Sequence, residues 1–373
     1  MNPNLEVQII AILVAISCSL LGVFLILKKQ AMMGDAISHT VLLGIVIGFL
    51  IVKDLNSIIL IIGAVIIGLL TVFFTETIIK TKIVAADAAI GLIAPFLFSI
   101  GIVLITGFTG SVHLDLDSVL LGELALAPFD RFIVAGINIG PKSLYIMGLI
   151  LIAIIIFITL FFKELKITTF DPTIALILGF NPLLINYLFM SLVSVTAVSA
   201  FNAVGTILVI ALMAGPPITA YLLTENLKKM LIIASAIGLI NAIVGYQVSV
   251  IYDISIAGSI ATVTFISFAI TLFFNFKQGI ITVLIKRARQ KRSYIMYAML
   301  FHLYNHENTI IEQREASIET ISEHLNWNQK LINKMISRGI KQRYIQTQQN
   351  IIKLTDCGRK YALKAYKELI DSI

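Results

Sequence analysis

Val7-Gln8-Ile9-Ile10-Ala11-Ile12-Leu13-Val14-Ala15-Ile16-Ser17-Cys18-Ser19-Leu20-Leu21-Gly22-Val23-Phe24-Leu25-Ile26-Leu27 contains no charged residue and ends on Lys28-Lys29. A helix rises about 1.5 Å per residue, so a run of about 20 apolar residues matches the hydrocarbon thickness of a bilayer. The run is too long for a signal-peptide core and is followed by lysines rather than a small-residue cleavage site, so it reads as a retained span. Eight similar runs follow, at about 31–52, 57–79, 87–107, 143–162, 184–201, 203–223, 229–250 and 255–276. The sixth and seventh runs are separated only by an expected tight turn near Phe201 and Asn202.

Composition agrees with this reading. Of 373 residues, 58% are hydrophobic and 13% charged, and the mean hydropathy is +0.96, whereas soluble domains carry about 25% charged residues. A soluble globular protein is thereby excluded. Charge changes abruptly along the chain: residues 277–373 hold 17 Lys+Arg against 8 Asp+Glu, while residues 1–276 hold 11 against 13. Three regions are expected: a transmembrane domain over 1–276, a basic juxtamembrane linker over 277–292 and a soluble domain over 293–373. Cys18 lies in an apolar run and Cys357 in the basic tail, so no disulfide is expected, and lone thiols fit a reducing compartment for the tail.

Basic residues orient the bundle. With the N-terminus outside, the inner loops collect Lys28, Lys29, Lys80, Lys82, Lys163, Lys166, Lys228 and Lys229, and the outer loops keep Lys53, Arg131 and Lys142. The positive-inside rule then places the tail in the cytoplasm, as does the cluster Lys286, Arg287, Arg289, Lys291 and Arg292 that opens it. The stretch Val119 to Ala127 reads as a re-entrant segment; a full span there would reverse the parity.

Ionisable groups in apolar segments are costly and mark function. Asp35 and His39, in Gly34-Asp35-Ala36-Ile37-Ser38-His39, are four residues apart, which puts a carboxylate and an imidazole on one helix face. Such a pair suits manganese, zinc or ferrous iron; the same spacing also serves an intrahelical hydrogen bond. His113, Asp115 and Asp117 alternate with apolar residues and Glu123 follows, a pattern that fits either an acidic outer vestibule or a solvated loop. Asp87 sits at the start of a span, where a carboxylate complements the helix dipole.

Two stretches bear on mechanics. Gly215-Pro216-Pro217 is expected to break or bend its span, since proline removes a donor and clashes with the preceding turn. Between the fifth and sixth runs, Asp171 precedes Pro172 and Gly179 follows Ala175, the punctuation of a short capped helix in an inner loop, suited to docking.

At these residues the first 276 positions resemble the membrane permease subunit of bacterial ABC importers for manganese, zinc and iron. The resemblance rests on Leu21 to Lys29, Gly34 to His39 with Gly44, Asp87-Ala88-Ala89-Ile90-Gly91, Leu121-Gly122-Glu123, Asp171 to Gly179, and Val204-Gly205 through Leu212 to Pro216, Thr219 and Ala220. It implies a subunit of the bacterial inner membrane that is not itself an enzyme, and the sequence has no phosphate-binding loop ending in Lys-Ser/Thr. It further implies a second permease subunit, identical or different, cytoplasmic ATPase subunits docking on Asp171, Pro172, Ala175 and Gly179, and an extracytoplasmic metal-binding protein. No cofactor is expected to be held permanently; the metal is cargo. Asp35 and His39 become the metal-pathway residues, and the Gly-Pro-Pro variant is more similar to manganese and iron members than to zinc members.

The tail reads as helices followed by a ribbon: an amphipathic helix from Ile318 to His324, a turn near Asn326, a second helix from Gln329 to Ser337 closed by Gly339, then a two-stranded wing within Ile340 to Leu354. It resembles the winged-helix domain of metal-dependent repressors of the diphtheria-toxin-repressor family. The fold expected is therefore an all-α polytopic membrane protein of about nine helices with a C-terminal winged helix-turn-helix domain. Lys330, Lys334 and Arg338 are the nucleic-acid candidates, although such domains also serve as protein contacts. His302, His306 and His324 read as surface histidines able to ligate metal. Two rival functions are an ion-coupled secondary transporter, for which no convincing inverted repeat is visible, and a membrane-tethered or released metal-responsive DNA-binding regulator.

Overall fold

A computed structural model describes residues 3–53, 57–108, 124–134, 137–275, 279–348 and 350–370. The chain forms two compact units, Met1–Gly279 and Ile280–Ile373.

Nine helices among the described residues of the first unit are long and apolar enough to cross a membrane. They are α1 (Pro3–Leu27), α2 (Met33–Val52), α3 (Ile58–Lys80), α4 (Ala86–Phe108), α5 (Lys142–Leu160), α8 (Pro182–Val204), α9 (Thr206–Leu223), α10 (Leu227–Tyr252) and α11 (Ile256–Phe274). Two short helices, α6 (Phe162–Phe170) and α7 (Pro172–Ile177), join α5 to α8, and a hairpin of β1 (Arg131–Val134) and β2 (Ile137–Pro141) precedes α5. Of the expected re-entrant stretch, residues 124–129 form a turn and one 3-10 turn, and its first half lies outside the described residues.

In lipid the hydrophobic effect does not distinguish helix from acyl chain, so association depends on close packing and a few polar contacts. Gly44 on α2 and Gly63 on α3 meet backbone to backbone, and a Cβ at Gly44 would overlap the Gly63 carbonyl. Beside them, Thr71 donates to Thr40 across the same interface at 2.8 Å. Gln30 donates to Glu76 at 2.7 Å, and Arg131 reaches back to the buried Glu6 at 2.7 Å, tying the hairpin to the first span. The core is the wall of α1, with Ile10, Val14, Leu21 and Phe24 fully buried against α5, α9 and α10.

Two expectations about helix breaks are corrected. The turn expected at Phe201 and Asn202 falls at Gly205, whose φ of 83° and ψ of 162° belong to a region open essentially to glycine alone. Gly215-Pro216-Pro217, expected to interrupt its span, lies inside the unbroken α9. Neither proline can donate to the preceding turn, yet both are buried, and packing supplies what the lost hydrogen bonds do not. The Met213 carbonyl, which Pro217 cannot satisfy, faces Gly22 of α1.

The second unit packs its own apolar cluster, including Met299, Leu300, Ile321, Ile332, Met335, Ile345 and Ile352. Its elements are α12 (Ile280–His306), α13 (Glu312–Glu315), α14 (Ile321–His324), α15 (Gln329–Lys341), the antiparallel pair β3 (Ile345–Gln348) and β4 (Ile351–Leu354), and α16 (Asp356–Ile370). The stretch 277–292, expected as a linker, is helical from Ile280 onward. The helix expected from Ile318 shortens to α14, because residues 316–318 instead pair along β4: Ile352 donates to Ala316 at 2.9 Å and Ile318 to Asn350 at 3.1 Å. The expected ribbon starts later than Ile340, since α15 continues to Lys341 and Arg343 turns the chain with a φ of 57°.

Candidate functional site

The first turn of α2 carries Asp35, and His39 lies one turn on. The imidazole Nε2 stands 3.5 Å from a carboxylate oxygen of Asp35, and the two side chains remain 53% and 33% exposed. They are joined within their own helix but not sealed by it, so both keep lone pairs for a third party.

That third party has a place. A cavity of about 450 Å³ opens between α2 and α4, lined by Met32, Asp35, Ala36 and His39 on one side and by Asp87, Ile90, Gly91, Ala94, Pro95 and Phe98 on the other. Phe98 meets His39 edge to face, with centroids 5.7 Å apart, and fixes the ring's direction. Asp87 brings a second carboxylate from the first turn of α4. Pro95, inside α4, has no N–H to give the carbonyl of Gly91 one turn earlier. Gly91 faces open space, with nothing within 4 Å of where a Cβ would stand. Asp35, His39 and Asp87 thus line one cavity, but among the described residues their donor atoms are not gathered into a three-ligand cluster. The spacing of Asp35 and His39 is visible in the sequence; the contributions of Asp87, Pro95 and Phe98 depend on the packing of α4 against α2.

The loop helix α7 has the expected construction. The Asp171 carboxylate accepts from the amides of Thr173 at 2.9 Å and Ile174 at 3.0 Å, Pro172 takes the first helical position, and Gly179 ends the turn with a φ of 85°. Ala175 is buried at its base, while Ile174, Leu176 and Ile177 are exposed, Ile177 at 80%.

Of the other sequence candidates, His113, Asp115, Asp117 and Glu123 lie outside the described residues. Gly215, Pro216 and Pro217 pack between helices and line no cavity described here. Lys330, Lys334 and Arg338 follow one another at four-residue spacing on α15, opposite the buried Ile332, Met335 and Ile336. A larger cavity of about 900 Å³ lies near the Gly205 break, between the start of α1, the 3-10 turn and the loop from Asp253 to Gly258.

Residues 4–275 match the family model of the ABC 3 transport family. The chain belongs to that family. Among curated ABC 3 relatives, it is 40% identical over 355 residues to the zinc transport system membrane protein TroD of Treponema pallidum, covering 95% of this chain and 96% of that one. It is 42% identical over 281 residues to the manganese transport system membrane protein MntD of Bacillus subtilis, covering 75% of this chain and 95% of that one. The alignment with TroD therefore continues into the second unit. Among solved structures, PsaBC from Streptococcus pneumoniae in complex with Fab matches with a TM-score of 0.60 and 30% identity, over 74% of this chain and 94% of that one. Family and spans together make this chain a multi-pass protein of the inner membrane.

Proposed function

We propose that the chain is the membrane-spanning permease subunit of an ATP-binding-cassette importer that brings a divalent transition metal into the cytoplasm, manganese first, then iron or zinc. The observation that carries this reading is the Asp35–His39 pair opening on a cavity whose far wall carries Asp87 and Gly91. The relatives' names, covering zinc and manganese transport systems, support the same cargo class. The chain forms half of the pathway and pairs with a second permease subunit. ATPase subunits engage α7, whose apolar side chains are presented on a capped and terminated turn, and an extracytoplasmic binding protein delivers the metal. Asp35 and His39 hold the ion transiently; exposure and the absence of a closed donor cage keep it exchangeable. The test is radioactive manganese uptake into vesicles bearing the complete complex, with and without an ATPase subunit able to hydrolyse ATP. Uptake that persists without hydrolysis would overturn the importer reading in favour of an ion-coupled carrier.

For the second unit we infer a cytoplasmic winged-helix module. The succession of α14, α15 and the β3–β4 pair supports it, as does the pairing of residues 316–318 along β4. The exposed Lys330 and Lys334, with Arg338 beyond, suit contact with an acidic partner, either a protein surface or nucleic acid. A salt-dependent shift of DNA by the full chain, lost in a Lys330→Ala/Lys334→Ala/Arg338→Ala variant, would assign nucleic acid; no shift at low salt would leave the protein contact.

A further inference from the structure

Three of the chain's five histidines gather in the second unit around one carboxylate. His302 and His306 are four residues apart on α12, with ring centroids 4.8 Å apart. Glu315 closes α13 and His324 closes α14, so three separate elements deliver the four side chains. One carboxylate oxygen of Glu315 lies 3.5 Å from His302 Nε2 and 3.1 Å from His324 Nδ1. Donor atoms of His302, His306 and Glu315 all fall within 4.8 Å of one another.

In a tetrahedral site with metal–ligand bonds of about 2.1 Å, neighbouring donors stand about 3.4 Å apart. The donor atoms of His302, His306 and Glu315 lie within 4.8 Å of one another and His324 Nδ1 lies 3.1 Å from Glu315, so rotations of side chains at helix ends bring the four toward that spacing. His302 Nε2 also lies 3.2 Å from the Glu315 carbonyl, a group it can approach only as donor. That bond fixes one tautomer and leaves the lone pair on Nδ1, the kind of second contact that orients metal-binding imidazoles. A hydrogen-bonded network alone accounts for His302 and His324, each held to Glu315, but gives the His306 ring no part.

We propose that His302, His306, Glu315 and His324 form a binding site for a divalent transition metal in the second unit, distinct from Asp35 and His39. Three imidazoles and a carboxylate select zinc, cobalt or a neighbouring ion over calcium or magnesium. Binding ties the end of α12 to α13 and to α14, the helix that leads into α15, so occupancy bears directly on the geometry of the helix pair. The site requires no transport, and its test is independent of the importer reading.

The full-length chain, purified in detergent and stripped with chelator, is titrated with Co2+, whose visible absorption reports tetrahedral nitrogen and oxygen ligation, and its bound Zn2+ is counted by elemental analysis. We expect one equivalent, with its visible band, to be lost in His302→Gln/His306→Gln and kept in Asp35→Asn/His39→Gln. A histidine variant that keeps every equivalent overturns the proposal, as does loss of the band only in the Asp35→Asn/His39→Gln variant. Should the histidine variant aggregate, the unaltered chain decides. Zn2+ should slow diethyl pyrocarbonate modification of His302 and His306 at least tenfold, read by peptide mass spectrometry, and unchanged rates refute the site.

Discussion

Asp171→Ala isolates the capped turn on which the ATPase contact rests. α7 has six residues, too few to be stable by itself, and its first amides have no partner within the helix. Asp171 satisfies two of them, at 2.9 and 3.0 Å. Replacing a capping aspartate by alanine costs about 1 kcal/mol, which is about a fivefold change in an equilibrium. Ala175 is the buried anchor that remains, so the turn frays rather than leaves its place. If the ATPase subunits engage the formed helix, metal-stimulated ATP hydrolysis and manganese uptake in vesicles should both fall two- to fivefold at unchanged subunit level. Asp171→Asn should stay within twofold of wild type, because asparagine caps as well as aspartate does. Wild-type coupling in the alanine variant would refute the role of the cap. An asparagine variant as poor as the alanine one would refute the capping argument itself and assign the effect to charge.

Asp35→Asn and His39→Gln should each reduce manganese uptake by more than about tenfold while leaving thermal unfolding in detergent unchanged, since both side chains are partly exposed; normal transport by both would remove them from the pathway. Arg131→Ala leaves the Glu6 carboxylate, 2% exposed, without its guanidinium, and should lower stability in detergent by about 3 kcal/mol. The double variant Glu6→Gln/Arg131→Ala should recover part of that loss, and a double variant no better than the single one would show that the ion pair is not the cause. Burial pushes the His302 imidazole below its ordinary value; the carbonyl and carboxylate of Glu315 oppose this shift, and His306 and His324 add to it. The unfolded chain therefore takes up the proton first as the pH falls, so this stabilisation is present above about pH 6.5 and is lost below it. Trp327, the single tryptophan, packs in the second unit's core, so its fluorescence during chelator-treated thermal unfolding of the full chain reads the slope, which His302→Gln should flatten.

The spans were legible because a bilayer imposes one length on each apolar run, and the chain from Val7 to Leu27 obeys it without help from any neighbour. Asp171, Pro172 and Gly179 were legible for a related reason: a cap, a first-turn proline and a glycine stop act within a few residues of one another. The Gly205 break was misplaced by a few residues because Phe201 and Asn202 offer polarity and bulk, whereas the backbone needs a conformation that only glycine supplies. Pro216 and Pro217 misled in the opposite direction. Their local effect is to disrupt a helix, and the close approach of Gly22 to the Met213 carbonyl is a tertiary fact.

The two histidine sites show where sequence reading ends. Asp35 and His39 declare themselves by spacing because one helix supplies both. The cavity on which the pair opens is completed by Asp87, Gly91, Pro95 and Phe98, which lie about fifty residues further along and become neighbours only when α4 packs on α2. In the second unit, His302 and His306 share the same four-residue spacing, but Glu315 and His324 reach them through helices of four residues each, too short to show any periodicity. The chain thus pairs a carboxylate and an imidazole in its membrane unit with three imidazoles and a carboxylate in its basic unit. Fewer and more exposed ligands release an ion readily, whereas more numerous and less exposed ones hold it.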